Sequence, residues 1–234
     1  MKTVAFIFAR GGSKELPGKN LLPLNGKPLL GHSIDLAKKI KEVKEVFVST
    51  DDKFIGKVAR EFEAQVISRP KHLAQDDSPE WLSWKHAVSY LKERNYQYEK
   101  FLSLPTTAPL RNMTDVQSCL DLLDKDTDAV VTITESQRNP FFNMVKMQKD
   151  GYVQLLSKDG KTYTRRQEAP KSYDLTTVAY VSTPDFILSA ESLFEGRVKA
   201  VSIPRERAID IDNEIDFLAV KAIITQENSS DVEK

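Results

Sequence analysis

Short apolar runs alternate with amphipathic stretches from the start of the chain to Glu135, and that rhythm constrains the fold more than any single motif. Thr3 to Phe8 reads as a strand buried on both faces. Pro28 to about Ile40 is predicted helical, with Leu29, Leu30, Ile34, Leu36, Ala37 and Ile40 on its apolar face. Val43 to Ser49 is a second strand. Asp51 and Asp52 can cap the helix that follows, which carries Phe54, Ile55, Val58, Ala59 and Phe62. Ala64 to Ile67 is a third strand. A helix to about Lys92 opens at Ser78-Pro79, with serine as N-cap and proline at the first helical position. Lys100 to Leu104 is a strand, Thr114 to Leu123 a helix and Ala129 to Thr134 a strand. Such alternation predicts a parallel, doubly wound α/β sheet.

The rhythm breaks after Glu135. Asn139-Pro140, Asp150-Gly151 and Asp159-Gly160 are turn signals between short strand-like pieces, so residues 136–172 are expected to form an inserted hairpin lobe. A strand (Leu175 to Ser182), a short helix near Pro184 to Ser189, a strand (Val198 to Ile203) and a helix (Asn213 to about Thr225) return to the sheet. The polar end, residues 227–234, is expected to fray. Residues 1–234 are expected to make one domain, without repeats or low-complexity tracts.

Lys plus Arg and Asp plus Glu both number 34, so no global basic field exists to hold a nucleic acid or an anionic membrane. No stretch approaches the length of a membrane span. The run TVAFIFA is too short for a signal segment with its cleavage site, and Cys119, the single cysteine, can form no internal disulfide. Both point to a reducing, cytoplasmic setting. Any phosphate chemistry must then come from a local cluster.

One such cluster follows the first strand. ARGGSKELPGKN, Ala9 to Asn20, combines Gly11, Gly12 and Gly18, which let backbone approach an oxyanion, with the cations Arg10, Lys14 and Lys19. Ligands gather at this carboxyl edge of an open α/β sheet. The segment is not a Walker A loop: Gly12 to Gly18 is one residue too long, and Asn20 stands where Ser or Thr would bind magnesium. Nor does it fit the dinucleotide fingerprint, which sets a dehydrogenase aside. The alternative is a flexible loop whose lysines face water.

The segment resembles the N-terminal signature of the acylneuraminate cytidylyltransferases, the CMP-sialic acid synthetases and their relatives for bacterial sialic-acid-like sugars. The resemblance continues through VSTDD (Val48 to Asp52), RPKHLAQDDSP (Arg69 to Pro79), PTTAPLR (Pro105 to Arg111), RNPFFN (Arg138 to Asn143), TRRQEAPKSYD (Thr164 to Asp174) and AIDIDNEIDF (Ala208 to Phe217). These run in the family's order along nearly the whole chain. Enzymes that activate Kdo share the fold but open closer to A-R-Y-x-S-x-R-x-P-G-K, so R-G-G-S-K favours the sialic-acid branch.

The resemblance implies a Rossmann-like, mostly parallel sheet of the nucleotide-diphospho-sugar transferase type, with the hairpin lobe serving dimerisation. It implies transfer of CMP from CTP to the anomeric hydroxyl of a nonulosonic acid, with Mg2+ as cofactor and release of pyrophosphate. Arg10, Gly11, Gly12, Ser13, Lys19 and Asn20 match triphosphate-loop positions, and Arg69 and Ser78 match positions that hold the cytosine. Thr106, Thr107, Arg166, Gln167 and Tyr180 fall on the sugar side, where Arg165 or Arg166 can pair with the sugar carboxylate. Phe141 and Phe142 are either anchors of a homodimer interface or core residues.

Asp210 and Asp212 match the family's metal-binding aspartates. Two apart, they point into one site if the segment is extended. Magnesium takes one or two carboxylates together with phosphate oxygens. The plain alternative is a helix cap at Asp212, just before the last helix. Arg10, Lys19, Asp210 and Asp212 are therefore the expected catalytic set, with no nucleophilic side chain required; a catalytically silent sugar-nucleotide sensor would have lost such positions. Cys119, the scattered His32, His72 and His86, and the helical pair Trp81 and Trp84 read as structural.

Two departures fall on the sugar side. Pro105 replaces the family's sugar-contacting glutamine, and Thr176-Thr177 replaces an Asn-Gly pair in Y-x-L-N-G-A-I-Y. Together with RNPFFN and APKSYD, which resemble enzymes for legionaminic acid and similar deoxy-diamino sugars, they favour such a sugar over N-acetylneuraminate. A Kdo-type or other sugar nucleotidyltransferase is the alternative.

Overall fold

The computed structural model describes residues 2–232 of the chain. Strand β1 (Thr3–Phe8) leads into a tight Asn25-Gly26 turn between the two-residue strands β2 (Pro23–Leu24) and β3 (Lys27–Pro28). Both turn residues hold positive φ, as a two-residue hairpin loop of this hand requires. Then follow α1 (Leu29–Lys39), β4 (Val43–Thr50), α2 (Lys53–Glu61), β5 (Gln65–Ser68), α3 (Glu80–Lys92) and β6 (Lys100–Ser103). After α4 (Met113–Leu122) and β7 (Ala129–Glu135), the lobe contributes β8 (Val145–Met147) and β9 (Val153–Leu155). The chain returns through β10 (Tyr173–Ser182), α5 (Pro184–Ser189), β11 (Val198–Ser202) and α6 (Glu214–Val232).

The main sheet has the order β11-β7-β10-β6-β1-β4-β5. It is the mostly parallel, doubly wound α/β sheet expected: β10 alone runs antiparallel, to both β6 and β7. Side chains on each strand alternate between two cores, since successive residues face opposite ways. Ala5 and Ile7 join a core with Leu30, Ile34, Val116 and Cys119, placing α1 and α4 on that face. Val4 and Phe6 join Trp81, Trp84 and Phe101, placing α3 on the other. The tryptophans and Cys119 are structural, as read, and burial pushes the Cys119 thiol up to about 12.

From β1 the chain winds outward through β4 and β5, then crosses back to lay β6 on the other side of β1. The crevice at the carboxyl ends of β1 and β6 is thus a topological switch point, where ligands of open α/β sheets bind. The loops after both strands, residues 9–20 and 104–111, flank it.

The helix starts correct one expectation and remove one alternative. Pro79, not Ser78, is the N-cap of α3, and no side chain caps that helix, so the Ser78 hydroxyl is left for the crevice. At α6, Asn213 accepts from the amides of Ile215 and Asp216, while Asp216 accepts from those of Asp212 and Asn213. This reciprocal box satisfies the orphan donors of the first turn and leaves the Asp212 carboxylate out of capping. At α2, Asp52 is the cap, accepting from Phe54 and Ile55. α6 also runs past Thr225 to Val232, so the expected frayed tail is helical backbone over its first six residues, and its last two lie outside those described.

The lobe springs from the tip of the β7–β10 pair, where Glu135 faces Tyr173. Because β10 is antiparallel to both neighbours, β7 and β6 run the same way, and the lobe leaves from the crevice edge of the sheet. Phe141 and Phe142 are half-buried within it and join no apolar core cluster of the described residues.

At the other side of the crevice, Asn112 and Asp115 form a capping box on α4, and Asp115 accepts two bonds of 2.9 Å from Arg207. That bidentate pair anchors the segment leading to Asp210, and the Asp115 carboxylate is almost wholly buried. Arg207→Ala should cost about 1–3 kcal/mol by leaving a buried carboxylate without its cation. A lower urea midpoint at unchanged slope, together with reduced turnover, is the expected result.

Candidate active site

After β1 the backbone must pass very close to α2. Gly11 lies so near Asp52 that an added Cβ would stand 2.8 Å from Asp52 Oδ2, and the Gly11 amide donates to Asp51 Oδ1 at 3.1 Å. Gly18, at φ 70°, turns the chain into a short 3-10 turn, Lys19–Leu21, that aims the Lys19 side chain inward. Asn20 is buried beneath: its amide donates to the Arg10 carbonyl and its oxygen accepts from Thr106 at 2.5 Å. Asn20 and Thr106 thus join the loop after β1 to the loop after β6.

The second half of the site is the irregular run Ile209 to Asp212, between a 3-10 turn at Arg205–Arg207 and the start of α6. The Ile211 amide donates to the Thr107 carbonyl at 2.8 Å, and the fully buried Ile211 packs with Leu24, Leu29 and Val220. Asp210 and Asp212, on either side of it, stay out of that apolar packing. Asp212 Oδ1 meets Lys19 Nζ at 3.1 Å, and Asp210 lies beside Thr107 and Thr177. The glycine segment and the IDID turn therefore share one cleft.

That cleft encloses about 320 Å³ and is lined by Phe8, Arg10, Ser13, Lys19, Asn20, Ser78, Pro105, Thr106, Thr107 and Thr177 among others. A contiguous hollow carries on past Lys14 to Asp212. A larger hollow of about 450 Å³ lies at the opposite edge of the sheet, between Lys92, Tyr98 and Asp185, and contains none of the residues singled out from sequence.

Electrostatics set the Asp210 side apart. Burial raises its carboxyl above the ordinary range, Asp212 adds to the rise, and Thr107, Thr177 and Lys19 oppose it. Its Oδ1 is buried without a hydrogen-bond partner, as is Thr177 Oγ1. Arg111 is fully enclosed nearby: burial lowers it to about 9, still a cation at neutral pH, with Asp210 and Asp115 as its carboxylates. Glu80 also lines the cleft. Its crowded surroundings raise its carboxyl, which accepts from Trp84 and feels both Arg69 and Asp210.

Arg10, Ser13, Lys19, Asn20, Ser78, Thr106, Thr107 and Asp212 line the cleft or its continuation, and Asp210 and Tyr180 adjoin it. Arg69 is held back: its Nε and Nη2 donate to the Ser49 hydroxyl and carbonyl, and burial lowers it to about 10. Gly12 has open space around it. Arg166 and Gln167 are not in the cleft of their own chain; Arg166 donates to the Ser136 and Gln137 carbonyls at the root of the lobe. Residues that sequence reasoning left without a role are Asp76, Glu80 and Arg111. Arg111 ends the PTTAPLR motif and lies buried behind the cleft, whereas Asp76 stands in a recognised stretch and only folding carries it to the lining.

A family profile described as cytidylyltransferase matches residues 4–217. This chain belongs to the cytidylyltransferase family. It is a nucleotidyltransferase. It is 33% identical over 227 residues to "Post-translational flagellin modification protein B" of Campylobacter coli, covering 95% of this chain and 94% of that one. It is also 33% identical over 227 residues to "CMP-N,N'-diacetyllegionaminic acid synthase" of Campylobacter jejuni, covering 96% and 95%. Its fold superposes on CMP:2-keto-3-deoxy-manno-octonic acid synthetase with a TM-score of 0.70 at 21% identity, covering 97% of this chain and all of that one. Among the described residues, no helix of this cytidylyltransferase is long and apolar enough to cross a membrane.

The raised carboxyl of Asp210 makes a prediction about stability. The folded state holds that proton more tightly than the unfolded chain, so stability falls as pH rises from the ordinary carboxylate range through the raised one. Without divalent metal, Asp210→Asn should therefore melt higher than wild type at neutral pH. The gap should close as pH falls through the Asp210 range, which thermal melts at stepped pH will show.

Proposed function

We propose that this cytidylyltransferase transfers CMP from CTP to the anomeric hydroxyl of a nonulosonic acid of the legionaminic type, releasing pyrophosphate. One observation carries the reading: loop cations and paired carboxylates face each other across a single cleft, in contact through Lys19 and Asp212. The names of the two Campylobacter relatives support the acceptor class. So do the two departures from the sialic-acid pattern, because Pro105 and Thr177 both line the cleft.

In this reading the anomeric oxygen bonds to the α-phosphorus as the bond to the departing pyrophosphate breaks. Arg10 and Lys19 offset the charge that builds on the phosphate oxygens. Ser13 and the glycine backbone seat the triphosphate, and Ser78, relieved of capping, faces the base. Thr107 and Thr177 offer hydroxyls to the acceptor, while Thr106, whose hydroxyl donates to Asn20, holds the loop that carries them. Asp210 and Asp212 fit magnesium: one carboxylate oxygen is buried and unpartnered, and two carboxylates plus phosphate oxygens make a usual set for this ion. Bound there, it would add charge neutralisation at the phosphates. Among the described residues no cluster of three or more metal-ligating side chains occurs, in keeping with an ion held partly by substrate.

We further propose a homodimer built on the lobe. The β8–β9 hairpin has hardly any buried face, and an isolated two-stranded hairpin is marginal in water. Met147, Tyr152 and Val153 are exposed by 76%, 74% and 57%, an apolar surface suited to a second copy. Such a pairing would also give Arg166 and Gln167 a cleft to serve, the partner's. The reaction fits the cytoplasm, where CTP is made.

Asp212→Asn should lower turnover with CTP and magnesium on the order of a hundredfold. Near-normal pyrophosphate release would remove the metal assignment, and a panel of legionaminic, pseudaminic, N-acetylneuraminic and Kdo acceptors tests the sugar. Replacing Met147 and Val153 together by lysine should yield monomers in light scattering. Mixing Arg166→Ala with Asp212→Asn protein should restore activity if lobes serve each other's clefts.

A further inference from the structure

Every cation at the mouth of the cleft already has a carboxylate on it. Lys19 has Asp212, one of the two aspartates proposed to hold magnesium. Arg10 and Lys14 have something different: both pair with Asp76, Arg10 Nη1 at 2.7 Å from Asp76 Oδ1 and Lys14 Nζ on Oδ2. Lys14 first, and then Arg10, hold the Asp76 carboxyl below the usual range, so it is ionised at neutral pH. Asp76 lines both the main cleft and its continuation past Lys14, as do Arg10, Ser13 and Lys19. It belongs to a short loop between a 3-10 turn, Lys71–Leu73, and the start of α3 at Glu80.

A polyphosphate cannot use Arg10 and Lys14 while a carboxylate sits on both. Like charges that close repel, and each guanidinium or ammonium donor can serve only one of the two anions well. We propose that Asp76 is a built-in counter-ion of the triphosphate site. It keeps Arg10 and Lys14 ordered while the cleft is empty, yields them when nucleotide enters, and competes for them again once pyrophosphate has formed. It is a positioning residue that acts through those cations, trading nucleotide affinity for product release. The inference rests on the proposed placing of the phosphates at Arg10.

The test is titration of inorganic pyrophosphate into the full chain, with wild type, Asp76→Asn, Asp77→Asn and Arg10→Ala compared. If the internal pair ties up the cations most of the time, its removal should tighten pyrophosphate binding about three- to tenfold, with both KM for CTP and kcat falling. A merely structural role for Asp76 would weaken binding and could not mimic that gain. Asp77→Asn changes net charge equally one residue away and should shift binding by less than about twofold. Equal tightening by both variants, or none by Asp76→Asn while Arg10→Ala weakens binding, overturns the counter-ion role alone. If Arg10→Ala leaves pyrophosphate binding unchanged, the placing of the phosphates is wrong and the proposal falls with it.

Discussion

The hydrogen bond from the Ile211 amide to the Thr107 carbonyl is the constraint on which the cleft depends. It ties the run Ile209 to Asp212 to the loop after β6 at Ile211, between the two aspartates. Ile211 can then sink into apolar packing with Leu24, Leu29 and Val220 while two carboxylates turn toward Lys19. A helix that began four residues earlier, at Asp210, would have spread the same aspartates around an axis. The Asn213–Asp216 box prevents this by beginning α6 beyond Asp212.

With that run secured, the cleft becomes a place where charge is held at some expense to the fold. Asp210 is partly buried, next to another aspartate, and carries an oxygen without a partner. Arg111 is enclosed behind it with one unpartnered nitrogen. Packing for stability alone would not keep such atoms; local rules are most often broken where a protein works. Local rules are obeyed almost everywhere else, in the alternating strands and in the boxes on α4 and α6.

The strand that breaks the parallel pattern organises the rest. β10 runs back between β6 and β7, so the connection from β7 need not cross the sheet and can project as a lobe from the crevice edge. The root of that lobe is stitched by Arg166 to the Ser136 and Gln137 carbonyls and by the Asn139 amide to the Pro170 carbonyl. Its far end has little core of its own. A well-anchored base thus carries an exposed apolar tip.

Much of this was legible in the amino-acid order. Runs of buried strand separated by 3.6-period helices determined the parallel α/β sheet, since burial on both faces requires uninterrupted apolar strands. The placing of Gly11 and Lys19 directly after the first strand pointed to the crevice. Capping was less legible, because Ser78, Pro79, Asp212 and Asn213 are all acceptable near a helix start and only the backbone path chooses among them. Asp76 and Glu80 joined the cleft through contacts between segments far apart in sequence, for which no local pattern exists. Sequence settles what each segment prefers by itself; which charges meet across a gap is decided only when the sheet closes and brings them within a few ångströms.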